Sequence, residues 1–258
     1  MNRIAISGNF CKRFNLFSNF AAMRLIKPSG FFRMFYPSMI WEMPKTREKT
    51  IYLTFDDGPH PLITPLVLQI LSQYNAKATF FCIGNNVRQF PETFELLKRE
   101  GHSVGIHTYN HENGWKTSTN NYVKSFVDAR QLIDSNLFRP PHGKIKRSQL
   151  KKLQTLNSQL YTLNSQHSTL NSKLSTLNSQ PYTLNSTLKI IAWTVIAYDW
   201  DHTLSHEDVY QNVIRNADDG AIVAFHDSLK AYDNMIAVLP RVLEYYKNKG
   251  FEFKAIKN

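Results

Sequence analysis

Short apolar runs, each closed by a polar or charged cluster, recur along most of this 258-residue chain. They are Ile51 to Phe55, Ala78 to Ile83, Ser103 to Ile106, Ile190 to Ile196, Ala221 to Phe225 and Phe251 to Ala255. Runs this short and this continuously apolar predict strands covered on both faces, as in a parallel sheet. Stretches with helical spacing separate them, among them Thr64 to Tyr74, Pro91 to Glu100 and Lys144 to Leu153. The alternation predicts an α/β fold in which a parallel sheet is wrapped by helices. In barrel enzymes of this kind the chemistry sits at the carboxyl ends of the strands, so the clusters that close the runs are the candidate site.

Two of those clusters suggest metal chemistry. The first run ends in Thr54-Phe55-Asp56-Asp57-Gly58-Pro59, a pair of carboxylates at a strand end, and the third is followed by His107-Thr108-Tyr109-Asn110-His111. If the second segment forms a helical turn, its two imidazoles share one face and reach one ion, and a nearby Asp completes a three-ligand site with room for water. A zinc protease of the His-Glu-x-x-His kind would carry its general base between the histidines. Thr, Tyr and Asn stand there instead, so the base comes from elsewhere and Asp56 is the candidate. Each cluster alone has an ordinary structural reading, as a surface His pair or a capped turn. Three more clusters add to them: Phe138-Arg139-Pro140-Pro141-His142-Gly143, Trp193 to Trp200, and Ile222-Val223-Ala224-Phe225-His226-Asp227.

Taken in order, the five segments resemble the five motifs of the polysaccharide deacetylases of carbohydrate esterase family four, the nodulation-protein-type deacetylase domain. The resemblance covers 51–258 apart from one insertion. It implies a distorted (β/α) barrel and a metal-dependent hydrolase. The implied reaction removes N-acetyl groups from an N-acetylated polysaccharide or oligosaccharide, peptidoglycan or a chitin-like N-acetylglucosamine polymer. Asp57, His107 and His111 would hold a divalent cation, most often Zn2+. Asp56 would be the general base, and Arg139 would pair with it. His226 would be the general acid that protonates the leaving nitrogen, with Asp199 beside it to keep it protonated; the plainer reading of His226 is a core histidine. The backbone N–H of His142 would serve the oxyanion, and Pro141, Trp200, Ala224 and Phe225 would line the acetyl pocket. Departures are His142 where relatives usually carry Tyr, Ile196 where many carry an Asp, and Ala224 where Leu is common. Alternatives are an O-acetyl esterase on a glycan and a catalytically silent glycan-binding domain. Binding alone requires neither Asp56 nor His226, and both are present.

Charge modifies this picture little. The net charge of +11 invites a nucleic-acid reading, but residues 1–50 carry nine Lys/Arg against two Asp/Glu and residues 151–189 four against none, while 51–150 and 190–258 cancel. No nucleic-acid partner is expected. The basic stretch at 151–189 contains Thr-Leu-Asn-Ser repeated every seven residues from Thr155, with leucines at coiled-coil spacing. Thr, Asn and Ser compete with helix formation, and His167 and Pro181 interrupt the second seam position, so a low-complexity surface insertion over 155–187 is expected and oligomerisation is not.

Residues 1–22 read as a flexible extension and 23–50 as a lead-in that packs on the barrel, with peripheral membrane contact the less favoured reading. No signal peptide or transmembrane segment is recognisable. Cytoplasmic localisation is the default expectation, in tension with substrates in cell walls or extracellular glycans. Cys11 and Cys82 offer no disulfide framework, and Cys82 reads as a small buried hydrophobe.

Overall fold

The computed structural model describes residues 26–28, 30–45, 47–156 and 187–257. The extension 1–22 with Cys11, and the repeats between 157 and 186, lie outside the described residues. Nine strands form one sheet: β1 Met39–Ile40, β2 Thr50–Asp56, β3 Thr79–Cys82, β4 Ser103–Ile106, β5 Leu137–Phe138, β6 Lys189–Ile191, β7 Val195–Ile196, β8 Ile222–His226 and β9 Glu252–Phe253. Their order is β1-β6-β5-β4-β3-β2-β8-β7, with β9 added to the start of β2, and every strand pair is parallel.

That order forces the sheet to curl. β6 and β7 stand six positions apart in it, which on a flat sheet would be about 29 Å. Only Ala192, Trp193 and Thr194 join them, and that link spans at most about 15 Å. The two edges therefore face each other across a narrow gap. Thr194 Oγ1 donates to the carbonyl of Trp41 just after β1 (2.7 Å), and Ile196 N to the carbonyl of Ile26 (3.0 Å). The result is the distorted, incompletely closed (β/α) barrel expected from the sequence.

Strand alternation sorts the side chains into two sets. Leu53, Phe55, Phe80, Val104, Ile106, Phe138, Val223 and Phe225 face outward and join the main core under the helices. The helices include α1 Gly30–Met34, α2 Ile63–Gln73, α3 Gly84–Gln89, α4 Pro91–Arg99, α5 Thr119–Arg130, α6 147–156, α7 His206–Ile214 and α8 Tyr232–Asn248. Tyr52, Phe81, Leu137, Ile191, Ile222 and Ile256 face inward and fill the barrel as a separate small cluster. Above it the same parity sends Asp56, His107, Arg139 and His226 to the inner side of the carboxyl-terminal rim. Gly105 is required within the barrel, because a Cβ there would lie 2.5 Å from the Phe81 ring.

Two expectations need correction. The apolar run Ile190 to Ile196 is not one strand but β6 and β7, on opposite sides of the sheet. The break comes from the carbonyls of Ile191 and Ala192, which turn inward to accept from the Arg139 guanidinium (3.3 and 2.8 Å). The helix expected from Lys144 starts at residue 147. Lys144 remains extended, the carbonyl of buried Ile145 accepts from the Tyr36 hydroxyl (3.0 Å), and the Gln149 side chain accepts from Lys146 N (2.8 Å).

Candidate active site

β2 delivers the two carboxylates to different places. Asp56 is the last residue of the strand, and its Oδ1 accepts from Arg139 Nη1 at 2.7 Å. Asp57 follows with φ 78°, a left-handed turn that swings its side chain out of the strand's alternation. Arg139, one residue past β5, is fully buried. It spends its donors on Asp56, the Thr54 hydroxyl (2.7 Å) and the two β6-end carbonyls, and its guanidinium stacks 4.2 Å from the Phe81 ring centroid. A planar fork with several donors in a dry interior holds one carboxylate in one orientation.

The histidines after β4 are close in space, but not by the expected route. Residues 107–111 form a loop, not a helical turn, with Thr108 and His111 both at φ 60°. Thr108 O accepts from Gly84 N, and the Thr108 hydroxyl accepts from Glu112 N. Glu112 in turn accepts from Ser125, so α5 and α3 brace the loop. The His107 and His111 rings lie 5.1 Å apart, with their Nε2 atoms 3.7 and 3.2 Å from Asp57 Oδ1.

These three residues fit a metal ion. Two donors bound at about 2.1 Å in tetrahedral geometry sit about 3.4 Å apart, and the observed separations bracket that value. The ligand atoms of all three lie within 4.8 Å of one another. Asp57 Oδ1 is buried without a hydrogen-bond partner, an arrangement that costs stability unless a cation completes it. His107 Nδ1 meets the carbonyl of Arg139 at 2.7 Å. A carbonyl only accepts, so Nδ1 carries the proton and Nε2 keeps its lone pair toward Asp57. Burial holds the His107 pKa down at about 4, so the ring is in the neutral form a ligand needs.

On the other side of β2, His226 ends β8 in register with Asp56. Its Nδ1 lies 2.9 Å from Asp199 Oδ1, and its backbone N donates to Asp199 Oδ2 at 2.7 Å. Asp199 is fully buried just after β7. Burial opposes charge on His226, but Asp199 outweighs it and raises the imidazole pKa to about 9. Burial raises the Asp199 pKa, against the pull of His226. The Trp200 ring stands edge-on to His226 with centroids 4.4 Å apart.

His142 sits at φ 58° in the short turn Pro141–Gly143, with its exposed ring 4.4 Å from that of His111. The turn's own bonds run from Gly143 N to Pro140 O and from Lys144 N to Pro141 O, which leaves the His142 N–H outside both.

A cavity of about 540 Å³ covers this group and is lined by Asp56, Asp57, His107, His111, His142, Trp200 and His226. Three expected pocket residues are not in its lining. Phe225 faces outward by strand alternation and stacks on Phe55 (6.1 Å). Ala224 faces inward but is wholly buried one pleat below His226, and Pro140, not Pro141, reaches the cavity.

Sequence reasoning passed over Trp41, Trp115, Trp193, Lys144 and Lys230, which line the cavity from loops. It also passed over Asp227, whose Oδ2 accepts from Thr64 Oγ1 (2.6 Å) and whose backbone N donates to Asp56 O (3.1 Å). Burial raises the Asp227 pKa to about 8. An Asp directly after a strand-end His was the available signal.

A curled parallel sheet with a three-ligand metal cradle, an Arg-clamped carboxylate and an Asp-supported imidazole at its rim defines a hydrolase of the barrel-deacetylase class. Comparison with known proteins agrees. The polysaccharide deacetylase family profile matches residues 43–161. A peptidoglycan-N-acetylglucosamine deacetylase of Bacillus cereus is 30% identical over 213 residues, covering 80% of this chain and 69% of the relative. Another of the same name and organism is 29% identical over 236 residues, covering 90% and 93%. The crystal structure of the Bc1960 peptidoglycan N-acetylglucosamine deacetylase superposes with a TM-score of 0.70 at 25% identity, over 89% of this chain and 95% of that one. The chain belongs to the polysaccharide deacetylase family and is a hydrolase of that family.

Proposed function

We propose that this protein removes the N-acetyl group from N-acetylglucosamine units of a glycan polymer or oligomer, in a reaction that requires a divalent cation. The observation that carries the proposal is the unpartnered Asp57 Oδ1 between two imidazole Nε2 atoms, with Asp56 and His226 beside it on neighbouring strands. One oxygen and two nitrogens suit zinc. When bound by Asp57, His107 and His111, the cation would supply Lewis acidity and a water of lowered pKa.

Everything else in the reaction falls to the chain's own groups. Asp56 takes a proton from the attacking water, and Arg139 keeps its carboxylate turned to that task. As the tetrahedral carbon forms, the His142 N–H donates to its oxygen. Collapse then expels a nitrogen, which leaves only when protonated, and His226 Nε2 supplies that proton because Asp199 engages Nδ1. An acid still protonated above neutral pH suits an amine leaving group, which favours an N-acetyl over an O-acetyl substrate. Trp200, edge-on to His226 and facing the cavity, bounds the space for the acetyl methyl.

Mass spectrometry tests this reading on a panel of N-acetylglucosamine oligomers, muropeptides and O-acetylated glycans, with zinc supplied. Replacement of acetyl by hydrogen on nitrogen is expected. Loss confined to O-acetyl groups, or no loss from any substrate, would overturn it.

A further inference from the structure

The cavity walls carry every tryptophan of the chain, Trp41, Trp115, Trp193 and Trp200. Flat aromatic surface of this kind packs against the apolar faces of sugar rings and says little about the charge of the glycan. The ionisable groups at the rim do. Among the described residues two acids line the cavity, Asp56 and Asp57; Arg139 matches the first, and His107 and His111 face the second. Two lysines line it as well. Lys144 lies on the loop after β5 and Lys230 on the turn after β8, and β4, β3 and β2 stand between those strands, so the lysines flank the mouth. Neither ammonium meets a carboxylate among the described residues. Lys144 Nζ instead rests 5.4 Å above the Trp115 ring, itself 52% exposed, so a cation and a sugar-stacking surface share one spot. Arg139 offsets Asp56, so the two lysines outnumber the one remaining acid, Asp57, and the mouth presents net positive charge to whatever enters.

We infer that Lys144 and Lys230 recognise a carboxylate carried by the glycan next to the sugar that loses its acetyl group, so that an acid-bearing glycan is preferred over a neutral N-acetylglucosamine polymer. The inference rests on the deacetylase reading above and narrows its substrate. Two sources offer the same chemistry, a lactyl ether on the neighbouring sugar and the carboxylates of an attached peptide. Exposed ion pairs each contribute modestly, so the two together should change affinity by about tenfold at low salt, and less as salt screens them.

The test measures Kd by calorimetry on the zinc-loaded full chain, with three oligosaccharides of equal sugar number: neutral, lactyl-bearing, and lactyl-bearing with peptide. Wild-type protein should bind at least one acid-bearing ligand about tenfold more tightly than the neutral one, and the arm that gains identifies the carboxylate. The preference should fall to about twofold in K144Q/K230Q, and K230Q, at an exposed turn, should remove part of it alone. Equal affinities in the wild type, a preference that survives in both variants, or no binding of any ligand would overturn the inference. Acetate release is followed separately. Its absence on every substrate would sink the deacetylase reading, whereas release without a charge preference in binding sinks only the role of the lysines.

Discussion

Asp199→Asn should move the alkaline limit of activity to lower pH, by up to about two units. Wild-type Asp199 is fully buried and bonds both the ring and the backbone of His226, whose pKa it raises from 6.5 to about 9 against the effect of burial. That rise corresponds to about 3 kcal/mol as an upper bound. Asn keeps the shape and can still accept from the His226 backbone, but it removes the charge, so the imidazole pKa should return to 6.5 or below. At pH 7.5 the protonated fraction of His226 would drop from nearly all to roughly a tenth, while at pH 6 most of it would survive. The assay is kcat/KM for acetate release across pH 5.5 to 10 at saturating metal. Asp57 also contributes to the rise, and a bound cation offsets it, so the wild-type limb should fall between 6.5 and about 9. Stability follows the same sign. A raised folded-state pKa contributes stability that is fully present below 6.5 and lost as pH rises through about 9, and Asp199→Asn should lack that component. Overlapping alkaline limbs for the two proteins, or equal losses at pH 6 and pH 7.5, would refute the assignment of His226 as an acid tuned by Asp199.

Other predictions concern the frame around the site. Arg139→Met leaves Asp56 as an uncompensated buried charge and two carbonyls without donors, so it should cost on the order of 3 to 5 kcal/mol in urea unfolding; a loss below about 1 kcal/mol would mean the clamp is not intact in solution. His102 and His107 are both depressed to about 4, chiefly by burial. The folded state resists their protonation, so they contribute stability above pH 6.5 that is lost as pH falls toward 4. Thermal melts of metal-free protein at pH 7.5 and 5 should show that drop, and His102→Asn, whose amide oxygen can accept the same Ala78 N–H, should reduce it. Gly105→Ala should push Phe81 off Arg139 and cost about 1 to 3 kcal/mol; an unchanged melting temperature would contradict the packing described for the barrel interior.

Much of this site is legible in the sequence because it obeys strand alternation. Asp56, Arg139 and His226 sit at strand ends with the parity of inward-facing residues, and apolar runs reveal that parity. The histidine pair was found by its spacing, but the reason for the spacing was misjudged. The two rings meet through left-handed Thr108 and His111, and that conformation depends on Glu112, Ser125 and Gly84 from elsewhere in the fold, which no local pattern encodes. The break between β6 and β7 was hidden for the same kind of reason. Ile190 to Ile196 is apolar apart from Thr194, and the demand of a buried guanidinium for the carbonyls of Ile191 and Ala192 splits it. The loop residues Trp115, Trp193, Lys144 and Lys230 carry no periodic signal, so their gathering around one cavity emerges only from the folded chain.

The central claim assigns two adjacent carboxylates to different tasks, and it is tested most directly by measuring bound zinc and acetate release on the same samples of wild type, Asp56→Asn, Asp57→Asn and His111→Ala. The account predicts one zinc per wild-type chain with turnover, and zinc retained in Asp56→Asn with the rate down by about 10² to 10⁴. In Asp57→Asn and His111→Ala, zinc and activity should be lost together. Zinc retained in His111→Ala after dialysis, or lost from Asp56→Asn while Asp57→Asn keeps it, would contradict the account.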